Sequence, residues 1–122
     1  MTTVTVDRIQ GLSGNLAAKV PCRVATTGAI TLSGTQTIDG VAVAAGDRVL
    51  VKGQASSIEN GIYDVSATAW TRAADFDGTN DVVNGTLVPI AEGTAGYHRV
   101  YMALGTDPIL PGSSAITFSV LR

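Results

Sequence analysis

Arg48-Val49-Leu50-Val51-Lys52, Ile62-Tyr63-Asp64-Val65 and Ala69-Trp70-Thr71-Arg72 are three short apolar-rich runs in the middle of the chain. The first two are separated by a polar loop, 53–59, and by Asn60-Gly61, a dipeptide that tolerates tight reversals. The last two are separated by Ser66-Ala67-Thr68, so the whole reads as a three-strand meander. Val49-Leu50-Val51 is unbroken by any polar residue, which predicts a strand buried on both faces. Trp70 lies opposite Ile62-Tyr63 in such a meander, a position for a core or half-buried aromatic.

The same pattern continues outward. Val20, Cys22 and Val24 alternate with Pro21, Arg23 and Ala25, and Pro21, which has no N–H, predicts a sheet edge or a strand start there. Ile30 and Leu32 run into Ser33-Gly34, Ile38 precedes the turn dipeptide Asp39-Gly40, and Val41 and Val43 precede Ala45-Gly46-Asp47. Downstream, a polar loop over 75–84 leads to three more predicted strands at 86–90, 97–103 and 115–120. At the start, Val4 and Val6 alternate with Thr3 and Thr5, so residues 1–19 read as an extended N-terminal arm or a first strand followed by an irregular stretch.

No eleven-residue window carries a helical apolar repeat, and Thr and Val suit a pleated surface. Eight or nine short strands predict an all-β chain: a single domain over 1–122, built as a small antiparallel β-sandwich or barrel. Apolar residues make up 45% of the 122 and charged residues 15%, which excludes a disordered charged tail. A net charge of -2 leaves no cationic excess for nucleic acid. No apolar run is long enough to span a bilayer. The lone Cys22 precludes an internal disulfide.

Chemistry-bearing patterns are sparse. His98, the only histidine, falls in the predicted strand Tyr97-His98-Arg99-Val100-Tyr101 with no triad partner in sight and reads as a strand-surface residue. Cys22 reads as a small buried hydrophobe. Ser13 and Ser33 lie beside glycines but outside any nucleophile elbow, and Gly11-Leu12-Ser13-Gly14 lacks the Lys-Ser/Thr of a phosphate loop. These features predict a protein without catalytic activity or cofactor. Asp75, Asp77 and Asp81 supply oxygen ligands of the kind Ca²⁺ takes, but at a spacing unlike an EF-hand, so they are metal candidates set against a polar loop of Asx-turns. Tyr63, Tyr97, Tyr101 and Trp70 are too few for an evident sugar-binding face, and Arg72 is placed to stack on Trp70 or pair with Asp64 or Asp75.

The run Ala25-Thr26-Thr27-Gly28-Ala29-Ile30-Thr31-Leu32-Ser33-Gly34, with Gln36-Thr37-Ile38-Asp39-Gly40-Val41, resembles the opening of a tail-fibre-like β domain in tailed-bacteriophage virion structural proteins. The resemblance continues through Ala45-Gly46-Asp47-Arg48-Val49-Leu50-Val51-Lys52, Gln54, Glu59-Asn60-Gly61-Ile62-Tyr63, Ala69-Trp70-Thr71-Arg72-Ala73, Asp75 and Asp77. It is strong over about 25–77 and loose in the last third, where Ala115-Ile116-Thr117-Phe118 carries it. It implies a structural component of the particle at the tail, baseplate, neck or a fibre, or else a decoration protein on the capsid. A host-receptor or glycan-binding module is the third reading. Implied partners are other virion proteins and copies of the chain, a trimer by analogy, with no nucleic acid and no membrane. The implied location is the virion, assembled in the host bacterial cytoplasm. With no coiled-coil or collagen-like shaft in the sequence, a small docking component is expected rather than a long fibre. Val4, Val6, Val120 and Arg122 are the interface candidates, since flat, weakly charged surfaces suit permanent packing and a terminal strand can extend a neighbour's sheet.

Overall fold

The fold, a computed structural model, is described over residues 18–78 and 80–122. Its strands are β1 (Val24–Ala25), β2 (Thr37–Ile38), β3 (Val41–Ala42), β4 (Arg48–Val51), β5 (Gly61–Asp64), β6 (Thr71–Arg72), β7 (Leu87–Pro89), β8 (Val100–Leu104) and β9 (Thr117–Val120). Two single 3₁₀ turns, Ser57–Glu59 and Ala74–Phe76, are the helical elements among the described residues. The all-β reading holds, with short strands in several sheets.

A central sheet runs β1-β4-β5-β6, a lateral sheet runs β7-β8-β9, and β2-β3 forms a hairpin. The meander β4-β5-β6 is antiparallel, with Leu50 opposite Ile62 and Tyr63 opposite Arg72. Side chains alternate along these strands, so one face presents Leu50 and Ile62 and the other presents Val49, Val51 and Tyr63. Each face feeds a separate core. Leu50 and Ile62 pack with Phe76, Val82, Val88, Ile90, Ala103, Ile109 and Ile116 between the two sheets. Val49, Val51 and Tyr63 pack with Val24, Ile38, Val43, Val65 and Trp70 beneath the β2–β3 hairpin. The unbroken Val49-Leu50-Val51 run is therefore buried on both faces, as predicted. Trp70 is buried, and its indole N–H donates to the Gly34 carbonyl at 2.8 Å.

Three local expectations need correction. First, not every pairing is antiparallel: β1 runs parallel to β4, and the bridges Ala18–Leu87 and Cys22–Ile90 are parallel as well. The segment 18–25 lies along the lateral sheet, then crosses to the central one, with Cys22 donating to Pro89 O and Arg23 donating to Arg48 O. On the way, four residue steps on this strand match three on its partner. That extra residue is a bulge, and Pro21, lacking an N–H, falls within it. The segment hinges the two sheets into an open sandwich, and no closed barrel forms. Secondly, Asn60-Gly61 is not a reversal. Asn60 is extended (φ -68°, ψ 151°), and its buried amide donates to Ile116 O and accepts from Gln54 N. Gly61 instead begins β5, where a Cβ would sit 2.5 Å from the Arg72 guanidinium. Thirdly, the predicted strand over 97–103 begins only at Val100, and His98 lies in a turn with φ 59°. The turn is imposed from outside: the Asp39 carboxylate accepts the N–H groups of Ala95 and Gly96 at 2.8–3.0 Å, and Thr94 donates to Asp39 O.

Candidate functional site

The lateral sheet has two unequal faces. The register aligns Val88 with Tyr101 and Ala103 with Phe118, toward the core between the sheets, while Val120, opposite Tyr101 at the end of β9, lies outside that core and is exposed. The opposite face carries Leu87, Met102 and Ser119 in one row and Pro89 and Val100 in the next, with Leu104 opposite Thr117. Ala18, paired with Leu87, and Val20, two residues on, extend it at one edge, and Leu121, bonded to Val100 O, extends it at the other. None of these side chains is charged. Val20 is 66% exposed and Leu121 55%. The apolar ones between them are half-buried and belong to neither core.

Several ionisable groups are engaged with one another. Arg48, at the start of β4, grips Asp75 through both guanidinium nitrogens at 2.7 Å, and its Nε donates to Val20 O. This fork ties the central sheet to the Ala74–Phe76 turn and to the bulge. Cys22 lies beside it, and burial pushes its thiol up to about 12, so it is held as the unreactive thiol. Arg23 bonds Asp47 at 2.7 Å and Glu92 at 3.3 Å on the surface. Arg72 is not on Trp70: it lies over the Tyr63 ring at 4.9 Å and donates to Asn60 O and Ile58 O.

The acidic loop divides. Asp75 is committed to Arg48. Asp77 and Asp81 share a hydrogen bond that raises the Asp77 carboxyl above the ordinary range. Partial desolvation works to raise Asp81, but the N–H groups of Asp77 and Gly78 on its Oδ2, at 2.8–2.9 Å, outweigh it and hold its carboxyl below the ordinary range. Among the described residues no three acidic, histidine or cysteine side chains converge as a metal-binding group. Behind the loop lies Lys19, only 5% exposed, whose ammonium makes no hydrogen bond among the described residues. Desolvation lowers its pKa, against the attraction of Asp75 and Asp81. Lys19 is thus a second cation, beside Arg48, that this acidic region faces, a role sequence reading missed because nothing in an isolated Ala-Lys-Val marks a lysine as buried.

Of the predicted interface residues, Val120 is exposed at the end of β9, and Arg122 exchanges backbone hydrogen bonds with Val100. Val4, Val6 and Ser13 lie outside the described residues. Ser33 pairs with Ala69 as an isolated bridge. Tyr97 is 58% exposed and stacks on His98 with ring centroids 3.7 Å apart. Among the described residues no helix is long and apolar enough to cross a membrane. Comparison with protein-family models, with curated proteins and with solved structures finds no match to this chain.

Proposed function

We propose that this chain is a non-enzymatic structural component of a tailed-bacteriophage particle, at the tail, baseplate, neck or a fibre attachment. In this role it packs its uncharged sheet face against other virion proteins and copies of itself. The observation that carries this reading is the outer face of the lateral sheet, uncharged from Val20 to Leu121 and apolar except at Ser119 and Thr117. Such a face buries at low cost, because no ion must be stripped of water and left unpaired. The tail-fibre-like pattern over about 25–77 supports the kind of assembly, since most of its turn and strand residues serve the fold that holds this face in place. The Arg48–Asp75 fork and the Asp39 carboxylate tie together segments distant in sequence, which suits a permanent building block.

The test is the copy number of the chain in purified particles, measured by quantitative mass spectrometry against the major capsid protein. A small number matching the symmetry of the tail or neck is the expected result. A number comparable with the capsid protein itself would make it a shell decoration protein instead. Absence from the particle overturns the virion reading.

A further inference from the structure

The strand edges of the fold are not alike. At β6 the central sheet ends in two residues, one of them Arg72, and just before them Trp70 donates to Leu32 O and Gly34 donates to Thr68 O. Along 18–22 the edge is broken by the bulge and by Pro21, and Arg48 Nε occupies Val20 O. Charge, brevity, proline and bulges are the devices that keep sheet edges from pairing with other chains. β9, Thr117-Phe118-Ser119-Val120, has none of them: it is uncharged, free of proline, and paired with β8 without a break.

The free groups on this edge can be named. Leu121 donates to Val100 O at 2.7 Å, and in an antiparallel ladder backbone groups alternate in direction. Residues 117, 119 and 121 therefore point their N–H and C=O at β8, while Phe118 and Val120 point theirs outward. Among the described residues no backbone or side-chain group bonds Phe118 or Val120 on that side.

We propose that β9 pairs antiparallel with β9 of a second copy across a two-fold axis, through the outward N–H and C=O groups of Phe118 and Val120. The contact joins two three-stranded lateral sheets into one continuous sheet. The second copy is the occupant that the chemistry selects. An uncharged strand meets itself without like-charge repulsion, and antiparallel pairing of identical strands closes on a two-fold rather than running on into a filament. The exposed Val120 side chain is covered in the same contact. The inference rests on the assembly role proposed above, yet each can fail alone. A chain found in particles but monomeric in solution removes the contact, whereas a dimer absent from particles removes the virion role.

The test is light scattering of the full chain over a concentration series, with amide hydrogen exchange read at each concentration. The expected result is a mass that doubles with concentration, while exchange of the Phe118 and Val120 amides slows and that of Ser119 does not change. Val120→Pro removes one outward N–H and leaves the β8 ladder intact, so it should hold the chain at monomer mass. Val120→Lys places a charge against its own copy and should do the same, which covers the case where the proline variant fails to fold. A chain that stays monomeric, forms a trimer, stays dimeric in both variants, or is protected elsewhere overturns the proposal.

Discussion

The central and lateral sheets are built from similar short strands and yet differ in what their faces meet. Both faces of β4 and β5 are packed, Leu50 and Ile62 into one core and Val49, Val51 and Tyr63 into the other. Among the described residues only one face of β7-β8-β9 packs into a core, and the other carries the half-buried Met102, Val100 and Leu87. The residue types on that outer face would serve equally well in a core. Apolar character along a strand thus identifies surface that will be buried, while the layers on either side decide whether the chain buries it alone. Stability should therefore reside in the central sheet and association in the lateral one.

The largest effect should come from cutting a side chain that both sheets share. Leu50→Ala removes a fully buried side chain between the sheets and is expected to cost about 2–5 kcal/mol by denaturant unfolding. Met102→Ala on the outer face should cost under about 1 kcal/mol in the monomer. Equal costs would break the contrast between the sheets. Next comes the fork. Asp75→Asn leaves Arg48, with only 18% of its side chain exposed, without its anionic partner. A loss of about 2–3 kcal/mol is expected, at the upper range for a charge-assisted hydrogen bond. No change would mean that the bulge and the central sheet are held together by packing alone.

Gly93→Ala tests the latch that shapes the loop before β8. Gly93 has φ 120°, and a Cβ there would collide with the Asp39 carboxylate. The expected cost is about 1–3 kcal/mol, with exchange of the Ala95 and Gly96 amides speeded locally. Unchanged exchange would mean that the turn around His98 holds without Asp39.

The smallest effect concerns Lys19, and its sign is the informative part. Its folded pKa is lowered by desolvation, so at a pH between that value and the ordinary 10.5 the unfolded chain binds more protons than the folded one. Stability from this group therefore rises with pH across that window, and the full penalty for burying the ammonium is present below it. Lys19→Met should stabilise the protein by about 1 kcal/mol at neutral pH and abolish this alkaline gain. A destabilised variant would mean that Lys19 has an ionic partner after all.

Much of the central sheet was legible in the sequence. An unbroken Val49-Leu50-Val51 run, charged at both ends, has few uses other than a strand covered on two sides, and Trp70 within the meander reads as a core or half-buried aromatic. The latch was not legible, because Asp39-Gly40 reads as an ordinary hairpin turn, and only folding brings its carboxylate to amides more than fifty residues away. The metal candidates illustrate the same limit: Asp75, Asp77 and Asp81 are close in sequence, but Arg48 and Lys19, distant in sequence, determine what they face.

The sequence by itself determined the all-β class, the meander and its two-sided burial. Alternation, turn residues and composition are local properties, and the physics that reads them acts over a few residues. Only the tertiary structure decided that strand 18–25 crosses between sheets, that Asp75 belongs to Arg48, and that β9 has an edge unpaired among the described residues, beside an uncharged face. Those outcomes depend on which distant segments compete for the same backbone and side-chain partners, and that competition is settled only when the layers close on one another.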